Sequence, residues 1–278
     1  MPELHIAELH CYPVKSCRGI ALERAEVGTM GLRYDRQWMI VDEYGMFVAQ
    51  RESDGRGISI ALLCRLETAF AGAELELRAP DMPTLHIPLN GIGEDAKIVR
   101  IWDTVCKAYD QGADVAAWLT QYLSRERPGN YRLVRMSEHE QRNSHKGEGR
   151  LAFADAYPFL VVSEASLADL NRRLAEPLLM NRFRPNIVLR GCEPYAEDTI
   201  DRFVVGDVEF TGASLCVRCP ITTTNQLTAV RGKEPLRTLA TYRRTPKGVV
   251  FGRNFNHRGT GMIAVGEEVE LLASVVPK

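Results

Sequence analysis

The sequence predicts a mainly β protein with a few helices, in the α+β class. Short apolar segments recur at close spacing in both halves of the 278-residue chain. Glycine and proline separate these segments, which is the pattern of a barrel or a sandwich. Only two segments have the spacing of an amphipathic helix. The length suits one large domain or two ordinary ones, and it is sufficient for a stable core without disulfide bonds.

The strands predicted in the first half begin with residues 6–12, which mix apolar and polar side chains and stop at Pro13. Residues 37–41 are apolar, residues 42–45 resemble a turn, and residues 46–49 resume the apolar pattern. This pattern predicts a hairpin. Further short strands are predicted at residues 75–78, 85–87 and 96–101.

Two helices are predicted, at residues 113–124 and 166–174, because each brings large apolar side chains to one face. Ser163 and Ser166 offer N-cap chemistry for the second helix. Between the helices, residues 137–150 are polar and have no period. They are predicted to form a flexible loop, which is a mobile surface loop, a domain linker or a lid beside a site. Strands are predicted again at residues 186–190, 203–205, 208–210, 248–251 and 269–272.

The composition excludes several classes of function. With 35 basic and 36 acidic residues, no global charge favours nucleic acid or an anionic membrane as a partner. The N-terminus lacks the pattern of a secretory signal, and no apolar stretch is long enough to span a bilayer. We therefore expect the cytoplasm or another reducing compartment. The seven cysteines are an odd number, so we expect free thiols that are mostly buried.

The pair Cys216-x-x-Cys219 leaves four interpretations open. It could be half of a zinc site, although no second such pair and no nearby histidine completes one. It could be a redox dithiol, but such pairs begin helices, and the β-branched threonines at 222–224 disfavour a helix here. One cysteine could bind a metal that a cofactor carries, or both could be buried thiols. We expect the pair in or beside a strand.

Other segments supply groups that suit anions. Lys15 and Ser16 stand in a predicted turn after the first strand, and they offer a charge and a hydroxyl to a phosphate oxygen without matching a P-loop. Arg36 precedes an apolar strand. Arg184 and Asn186 flank Pro185, and Arg184 is expected to be extended because it precedes proline. Each of these groups alone is more typical of a solvated turn or a surface ion pair.

Several common enzyme classes are disfavoured. The six histidines form no HExxH or other metal-binding spacing. No serine hydrolase, Rossmann or kinase signature is present.

Seven motifs, taken together, resemble those of one family and stand in the same order. They are YPVKSCRG at 12–19, GLRYDRQW at 31–38, YPFLVVSEASLADLN at 157–171, FRPNI at 183–187, GD at 206–207, CVRC with the threonine run at 216–224, and KEPL at 233–236. This arrangement resembles the MOSC-domain proteins, in particular the mitochondrial amidoxime-reducing component and its bacterial relatives. The similarity runs from about Ile6 to the C-terminus.

The resemblance implies a MOSC β-barrel-like domain, expected at residues 150–278, and an N-terminal MOSC-associated β-rich region at 1–135. The segment up to about Arg36 could pack with the MOSC barrel. A molybdenum cofactor, the metal bound to molybdopterin, would lie between the two parts. Cys219 matches the family's metal ligand and catalytic cysteine. Positions that contact the pterin or its phosphate match Lys15, Ser16, Arg36, Arg184, Asn186 and Arg218, and Tyr157 and Asn254 lie near further cofactor-side positions.

The resemblance also implies a reaction. The expected activity is the two-electron reduction of N-hydroxylated compounds, such as amidoximes, hydroxylamines and N-hydroxylated bases. The chain ends soon after its last predicted strand, so we expect no iron–sulfur cluster in it. Electrons would come from a separate ferredoxin, flavoprotein or cytochrome.

The motifs depart from the family in two places. Val217 stands where relatives often have a small polar residue, and Thr224-Asn225 stands where they often have Val-Asp. These changes could alter hydrogen bonds around the metal ligand. The alternative function is a carrier of the cofactor or of sulfur, because MOSC domains also occur in cofactor sulfurases and are associated, as a class, with pyridoxal phosphate. No desulfurase domain fits in this length.

Overall fold

The computed structural model describes residues 3–51, 55–91, 93, 95–137, 139–140 and 142–275. Strands dominate this part of the chain, which confirms the mainly β class with a few helices. In chain order the strands are β1 His5–Cys11, β2 Ile20–Leu22, β3 Arg24–Gly28, β4 Gly31–Leu32, β5 Trp38–Val41, β6 Val48–Ala49, β7 Ile58–Ser59, β8 Glu67–Ala71, β9 Glu74–Arg78, β10 Leu85–Pro88, β11 Ala96–Ile101, β12 Thr104–Asp110, β13 Arg132–Met136, β14 Arg142–Asn143, β15 Arg150–Leu151, β16 Phe159–Ser163, β17 Ile187–Arg190, β18 Ile200–Val205, β19 Val208–Val217, β20 Arg244–Thr245, β21 Gly248–Arg258, β22 Gly261–Ala264 and β23 Glu270–Ser274.

The α-helices are α1 Ala113–Leu123, α2 Glu164–Asn171 and α3 Leu236–Leu239. Short 3-10 helices cover Ala61–Arg65, Met180–Arg182, Ala196–Asp198 and Pro220–Thr223. The two helices predicted from the sequence are confirmed, although α2 begins and ends earlier than expected. The hydroxyl of Ser163 accepts the Ser166 N–H at 3.1 Å, which confirms the N-cap. Among the helices of the described residues, none combines the length and the apolarity that crossing a bilayer requires.

One large sheet forms the frame of the second half, with the strand order β2-β1-β17-β16-β21-β19-β18-β23. Strands β16 and β17 run parallel, and the other neighbours along this path are antiparallel. Buried phenylalanines fill its core. The rings of Phe203 and Phe210 stack at 4.6 Å, and Phe159 meets Phe210 edge-on at 5.0 Å.

The first strands of the chain belong to this half of the molecule. In β1, Leu9 pairs with Ile187 of β17, and β2 extends the sheet beyond β1. In β3, Val27 pairs with Gly261 of β22. The segment before Arg36 therefore contributes two strands to the large sheet and two to a smaller one. The domain boundaries inferred from the sequence stay a prediction.

A second core lies under two sheets of the N-terminal half, which have the orders β11-β12-β13-β5 and β10-β9-β8. Helix α1 covers it with Trp118, Leu119 and Tyr122, all of them buried. Trp38, fully buried in β5, packs in the same cluster. This strand links the second core to the segment at Lys15, because the Lys15 N–H bonds the Trp38 carbonyl at 2.8 Å.

The predicted hairpin at residues 37–49 is wrong in its pairing. Strand β5 pairs with β13, and β6 pairs in parallel with β7. A single antiparallel bridge, Val41 to Phe47, remains of the hairpin. The Asp42 carboxylate accepts the N–H groups of Tyr44 and Met46, which closes a tight turn before the two strands diverge.

The polar segment 137–150 contains strand residues that were not predicted, and its residues 138 and 141 lie outside the described part of the chain. Strands β14 and β15 form a short hairpin within and just beyond it. The Arg142 guanidinium donates to the carbonyls of Ala152 and Ala154 at 2.7 and 2.9 Å. The hairpin tip packs on β21 so closely that a Cβ at Gly149 would lie 2.2 Å from the Asn256 amide oxygen.

A fully buried carboxyl, that of Glu197, ties the 3-10 helix Ala196–Asp198 to the start of α2. It accepts the Ser166 hydroxyl at 2.9 Å and the Ser163 N–H at 3.3 Å. Burial raises its pKa above the ordinary glutamate value, and the neighbouring Asp198 adds to this, although the hydrogen bonds act in the opposite direction.

We expect Glu197→Gln to gain stability relative to the unchanged protein as the pH rises. Because the folded-state pKa is raised, the carboxyl stabilises the fold fully below the unfolded-state pKa, and this contribution is lost as the pH rises through the folded-state value. The amide has the same shape and does not ionise. Each unit of pKa shift corresponds to about 1.4 kcal/mol of unfolding free energy. Urea unfolding of both proteins from about pH 5 to about pH 9 measures the difference, and parallel pH profiles would contradict the prediction.

Candidate active site

A cavity of about 470 Å³ opens between the turn at Lys15, the segment around Pro185 and the segment that joins Cys216 to Cys219. The structure brings all nine residues predicted from the sequence to its wall. They are Lys15, Ser16, Arg36, Tyr157, Arg184, Asn186, Arg218, Cys219 and Asn254. Their roles toward a cofactor stay predictions.

Cys219 stands at the end of a strand, as expected for the pair. Strand β19 contains Cys216 and ends at Val217, and Cys219 is the N-cap of the 3-10 helix Pro220–Thr223. The expectation that the threonines avoid helix is wrong for this short turn. Their hydroxyls satisfy its first carbonyls, since Thr222 donates to the Cys219 carbonyl at 3.1 Å and Thr223 donates to that of Pro220 at 2.7 Å.

Arg218 fixes the backbone beside Cys219. Its Nη2 donates to the Phe183 carbonyl at 2.6 Å, and its Nη1 donates to the Cys216 sulfur at 3.1 Å. Its Nε is buried and has no hydrogen-bond partner among the described residues. An unpaired buried donor of a charged group is costly, so this atom marks a place for an acceptor that the protein itself does not provide.

Lys15 is a buried cation at the cavity wall. Its ammonium donates to the Phe153 carbonyl at 3.0 Å and pairs with Asp155. Burial lowers the pKa of Lys15, and Asp155 opposes this effect. Desolvation beside Lys15 acts to raise the pKa of Asp155, although the carboxyl side chain is 54% exposed. Lys15, with a hydrogen bond from the Trp102 indole, holds this pKa well below the usual range. The ammonium therefore has one further N–H to offer.

Ser16 adopts a left-handed conformation, with φ of +66°, in the predicted turn. The Ser16 carbonyl accepts a hydrogen bond from the side-chain N–H of Gln50 at 2.5 Å. The side-chain oxygen of Gln50 in turn accepts a hydrogen bond from the side-chain N–H of Gln226 at 3.1 Å. Both glutamines are buried. This amide pair connects the turn with the segment that follows Cys219.

Arg36 and Arg184 are held against one ring, that of the buried Tyr12. The two guanidinium carbons lie 4.4 and 4.3 Å from the ring centroid. The prediction that Arg184 is extended is wrong, because its φ is +57°. The turn directs its guanidinium to the Cys17 carbonyl at 2.6 Å and onto Tyr12, and these contacts outweigh the backbone preference before proline.

Three of the predicted residues contribute through weaker or internal contacts. The Asn186 side chain accepts from Arg36 at 3.1 Å and from the Leu160 N–H at 3.2 Å, and it donates to the His10 carbonyl, so it holds three segments together. Asn254 donates to the Ser214 hydroxyl at 3.3 Å. The Tyr157 ring meets the His145 ring edge-on at 6.2 Å.

Several cavity residues were missed by the sequence analysis, namely Arg51, His145, Asp155 and Lys247. His145 belongs to the polar segment 137–150, so this segment does border the site. Asp155 stands two residues before Tyr157, but only its pairing with the distant Lys15 gives it a role. Among the described residues that line the cavity, six are Lys or Arg and Asp155 alone is acidic.

The arrangement suits an anionic ligand that also binds a thiolate. The cationic side chains can neutralise phosphate, and the Arg218 Nε and the third Lys15 N–H are available as donors. The Cys219 thiol lies at the wall of the same cavity. The volume of this cavity is in the range of small-molecule sites. No group of three or more His, Cys, Asp and Glu side chains placed to hold a metal occurs among the described residues.

Comparison with known proteins assigns both parts of the chain. The family model for the MOSC N-terminal beta barrel domain matches residues 3–126, and that for the MOSC domain matches residues 148–270. The mitochondrial amidoxime-reducing component 1 of Homo sapiens is 37% identical over 288 residues, which cover 96% of this chain and 82% of that protein. The mitochondrial amidoxime reducing component 2 of Homo sapiens is 34% identical over 285 residues, with 95% and 82% covered.

Similarity to a solved structure is also found, at lower sequence identity. The YUAD protein from Bacillus subtilis aligns over 97% of both chains, at 10% identity and with a TM-score of 0.42.

Proposed function

This chain belongs to the MOSC-domain family, and from that premise we propose that it is a molybdenum-cofactor oxidoreductase that reduces N-hydroxylated compounds. The proposed substrates are amidoximes, hydroxylamines and N-hydroxylated bases. The observation that carries the proposal is the position of the Cys219 thiol in a cavity whose described wall includes six cationic side chains. The names of the similar mitochondrial proteins, amidoxime-reducing components, support the reaction class.

The residues present fit a molybdenum cofactor. A thiolate suits a high-valent metal, and Cys219 provides one at the cavity wall. Lys15 and Ser16 would hold the terminal phosphate, with the spare N–H of Lys15 as a charged donor. Arg36, Arg184 and Arg218 would hold the pterin, and the unpaired Nε of Arg218 supports this assignment. Asn186 would act mainly by fixing Arg36.

When bound, the cofactor would supply the redox centre for the reduction. The overall reaction adds two electrons and two protons to an amidoxime and yields an amidine and water. The chain's own contribution is to position the reactants. Tyr12 keeps Arg36 and Arg184 in place by stacking, and the Gln50–Gln226 pair holds the Ser16 turn. Tyr157 and His145 border the same cavity and would bound the space for the substrate.

The proposed redox partner is a separate ferredoxin, flavoprotein or cytochrome, because the reaction needs two electrons from outside the described cavity. The proposed location is the cytoplasm. The seven free cysteines support a reducing compartment.

We expect protein purified from a host that makes the cofactor to contain about one molybdenum and one pterin per chain. Elemental analysis and the fluorescence of the oxidised pterin measure this. Protein from a host that lacks cofactor synthesis is the control, and it should contain neither. A metal-free preparation from the competent host would contradict the proposal.

A second candidate is a carrier of the cofactor or of sulfur without reductase activity. It is favoured by one observation, that both Cys216 and Cys219 line the cavity. A carrier would bind the cofactor but would not reduce benzamidoxime with viologen and dithionite. The reductase would do both.

A further inference from the structure

Charge is distributed unevenly along this nearly neutral chain. Residues 213–250, which include Cys219, carry seven Lys or Arg and one Glu, whereas the rest of the chain carries 28 basic and 35 acidic residues. Arg237 pairs with Glu234, and Arg243 pairs with Asp198. Lys233, Arg244 and Lys247 are exposed and have no ion pair among the described residues. A local positive field therefore surrounds the proposed metal ligand on an otherwise acidic molecule.

Exposed apolar side chains occupy the same region. Val217 is 45% exposed, Leu227 62% and Val230 65%, which are high values for aliphatic residues. Val217 lines the cavity beside Cys219. Apolar groups inside a charged rim are typical of protein interaction sites.

Backbone hydrogen bonds join the segments that carry these side chains to the segment around Cys219. The Gly232 N–H bonds the Thr223 carbonyl at 3.0 Å, so the turn with Leu227 and Val230 folds against the 3-10 helix that begins after Cys219. The Arg218 N–H bonds the Val249 carbonyl at 2.8 Å, and Val249 pairs with Arg244. We name the surface made by Val217, Leu227, Val230, Lys233 and Arg244 the Cys219 face.

The basic character continues past Leu227. This residue also borders a second cavity, of about 380 Å³, which is lined by Arg18, Arg65 and Arg78. Arg18 pairs with Glu67, and Arg78 pairs with Glu76. Arg65 has no ion pair among the described residues, so it extends the positive field away from Cys219.

We infer that the Cys219 face is the docking surface of an acidic electron-transfer protein. The inference rests on the proposed function, which requires an outside donor. Electrons have to arrive near Cys219, and this face consists of exposed residues in the same segment and in the segments hydrogen-bonded to it. The opposite charges of the basic face and an acidic carrier accelerate their encounter. The apolar residues of the face provide a small contact from which the carrier dissociates readily. A basic carrier would be repelled.

The test uses an acidic [2Fe–2S] ferredoxin as the probe. Reduced ferredoxin is mixed with the holoprotein and benzamidoxime, and the oxidation of the ferredoxin is followed. This gives a second-order rate constant, which is measured at about 20 mM and at about 500 mM salt. We expect the double variant Lys233→Glu/Arg244→Glu to lose about 10-fold or more of this rate at low salt, with a smaller loss at high salt. Activity driven by dithionite and viologen should be unchanged, because neither residue lines the cavity.

The control variant is Arg24→Glu/Lys97→Glu, which reverses the same number of exposed charges in β3 and β11. It should keep the ferredoxin rate within about two-fold. Equal losses in both variants, or no loss in the Lys233/Arg244 variant, would overturn the inference. If the unchanged protein is inactive even with viologen, the proposed function fails instead. Calorimetric titration of each variant with oxidised ferredoxin then tests the docking surface on its own.

Discussion

Replacement of Cys219 by serine or alanine is expected to abolish the reduction of N-hydroxylated substrates. The side chain lies at the wall of the cavity and is the proposed thiolate ligand. Loss of a group that only supports a metal ligand typically costs about 10- to 100-fold, so loss of the ligand itself should exceed that range. Turnover with viologen and dithionite measures the effect, together with the molybdenum content of each variant.

Cys216→Ala is the matched control, because this thiol is three residues away and lines the same cavity. Its sulfur accepts a hydrogen bond from Arg218 at 3.1 Å, so we expect a modest loss and most of the activity to remain. Equal loss from both cysteines would favour a mechanism that uses the two thiols as a pair, which is the chemistry of a sulfur carrier.

Tyr12→Ala is expected to produce the largest loss of stability among the site variants. The ring is almost completely buried, and two guanidinium groups stack on it. Truncation of a buried aromatic residue typically costs about 3–5 kcal/mol of unfolding free energy. Loss of the ring would also leave Arg36 and Arg184 without their support, so the retained molybdenum should fall as well.

Tyr12→Phe separates the ring from its hydroxyl. The hydroxyl donates to the Pro185 carbonyl at 3.1 Å, and its removal should cost about 1 kcal/mol. Both arginines should stay in place, and the cofactor content should be close to normal. Urea unfolding gives the two free energies. If the alanine and phenylalanine variants were equally stable, the stacking would not be what holds this part of the site.

Local signals were readable from the sequence alone. The helical spacing of Val115, Trp118 and Leu119 predicts α1, and Ser163 marks the start of α2, because both depend on residues a few positions apart. Strand ends were less accurate. Strand β21 runs from Gly248 to Arg258, well beyond the prediction, because its polar residues are satisfied by distant partners. One example is Arg253, which donates to the Asp198 carbonyl at 2.6 Å.

The site was predicted through a resemblance, and its internal contacts were not. The motif match identified the residues that the fold brings to one cavity. Nothing local indicated that Lys15 pairs with Asp155, that Arg184 takes a positive φ, or that Gln50 meets Gln226 behind the Ser16 turn. These contacts join positions that are far apart in the chain, so they exist only once the two halves are packed together.

The pairing of the first strands with the last ones also sets the order in which this protein can fold. During synthesis, His5 of β1 cannot pair with Arg190 until that residue has left the ribosome. Val27 can pair locally with Leu32, but its second partner, Gly261, is made much later. Such a high contact order slows folding and leaves one edge of β1 and one edge of β3 unpaired on the nascent chain. The large sheet therefore cannot be completed by either half alone, and chaperones that shield bare strand edges should matter more for this protein than for one of the same size with sequential hairpins.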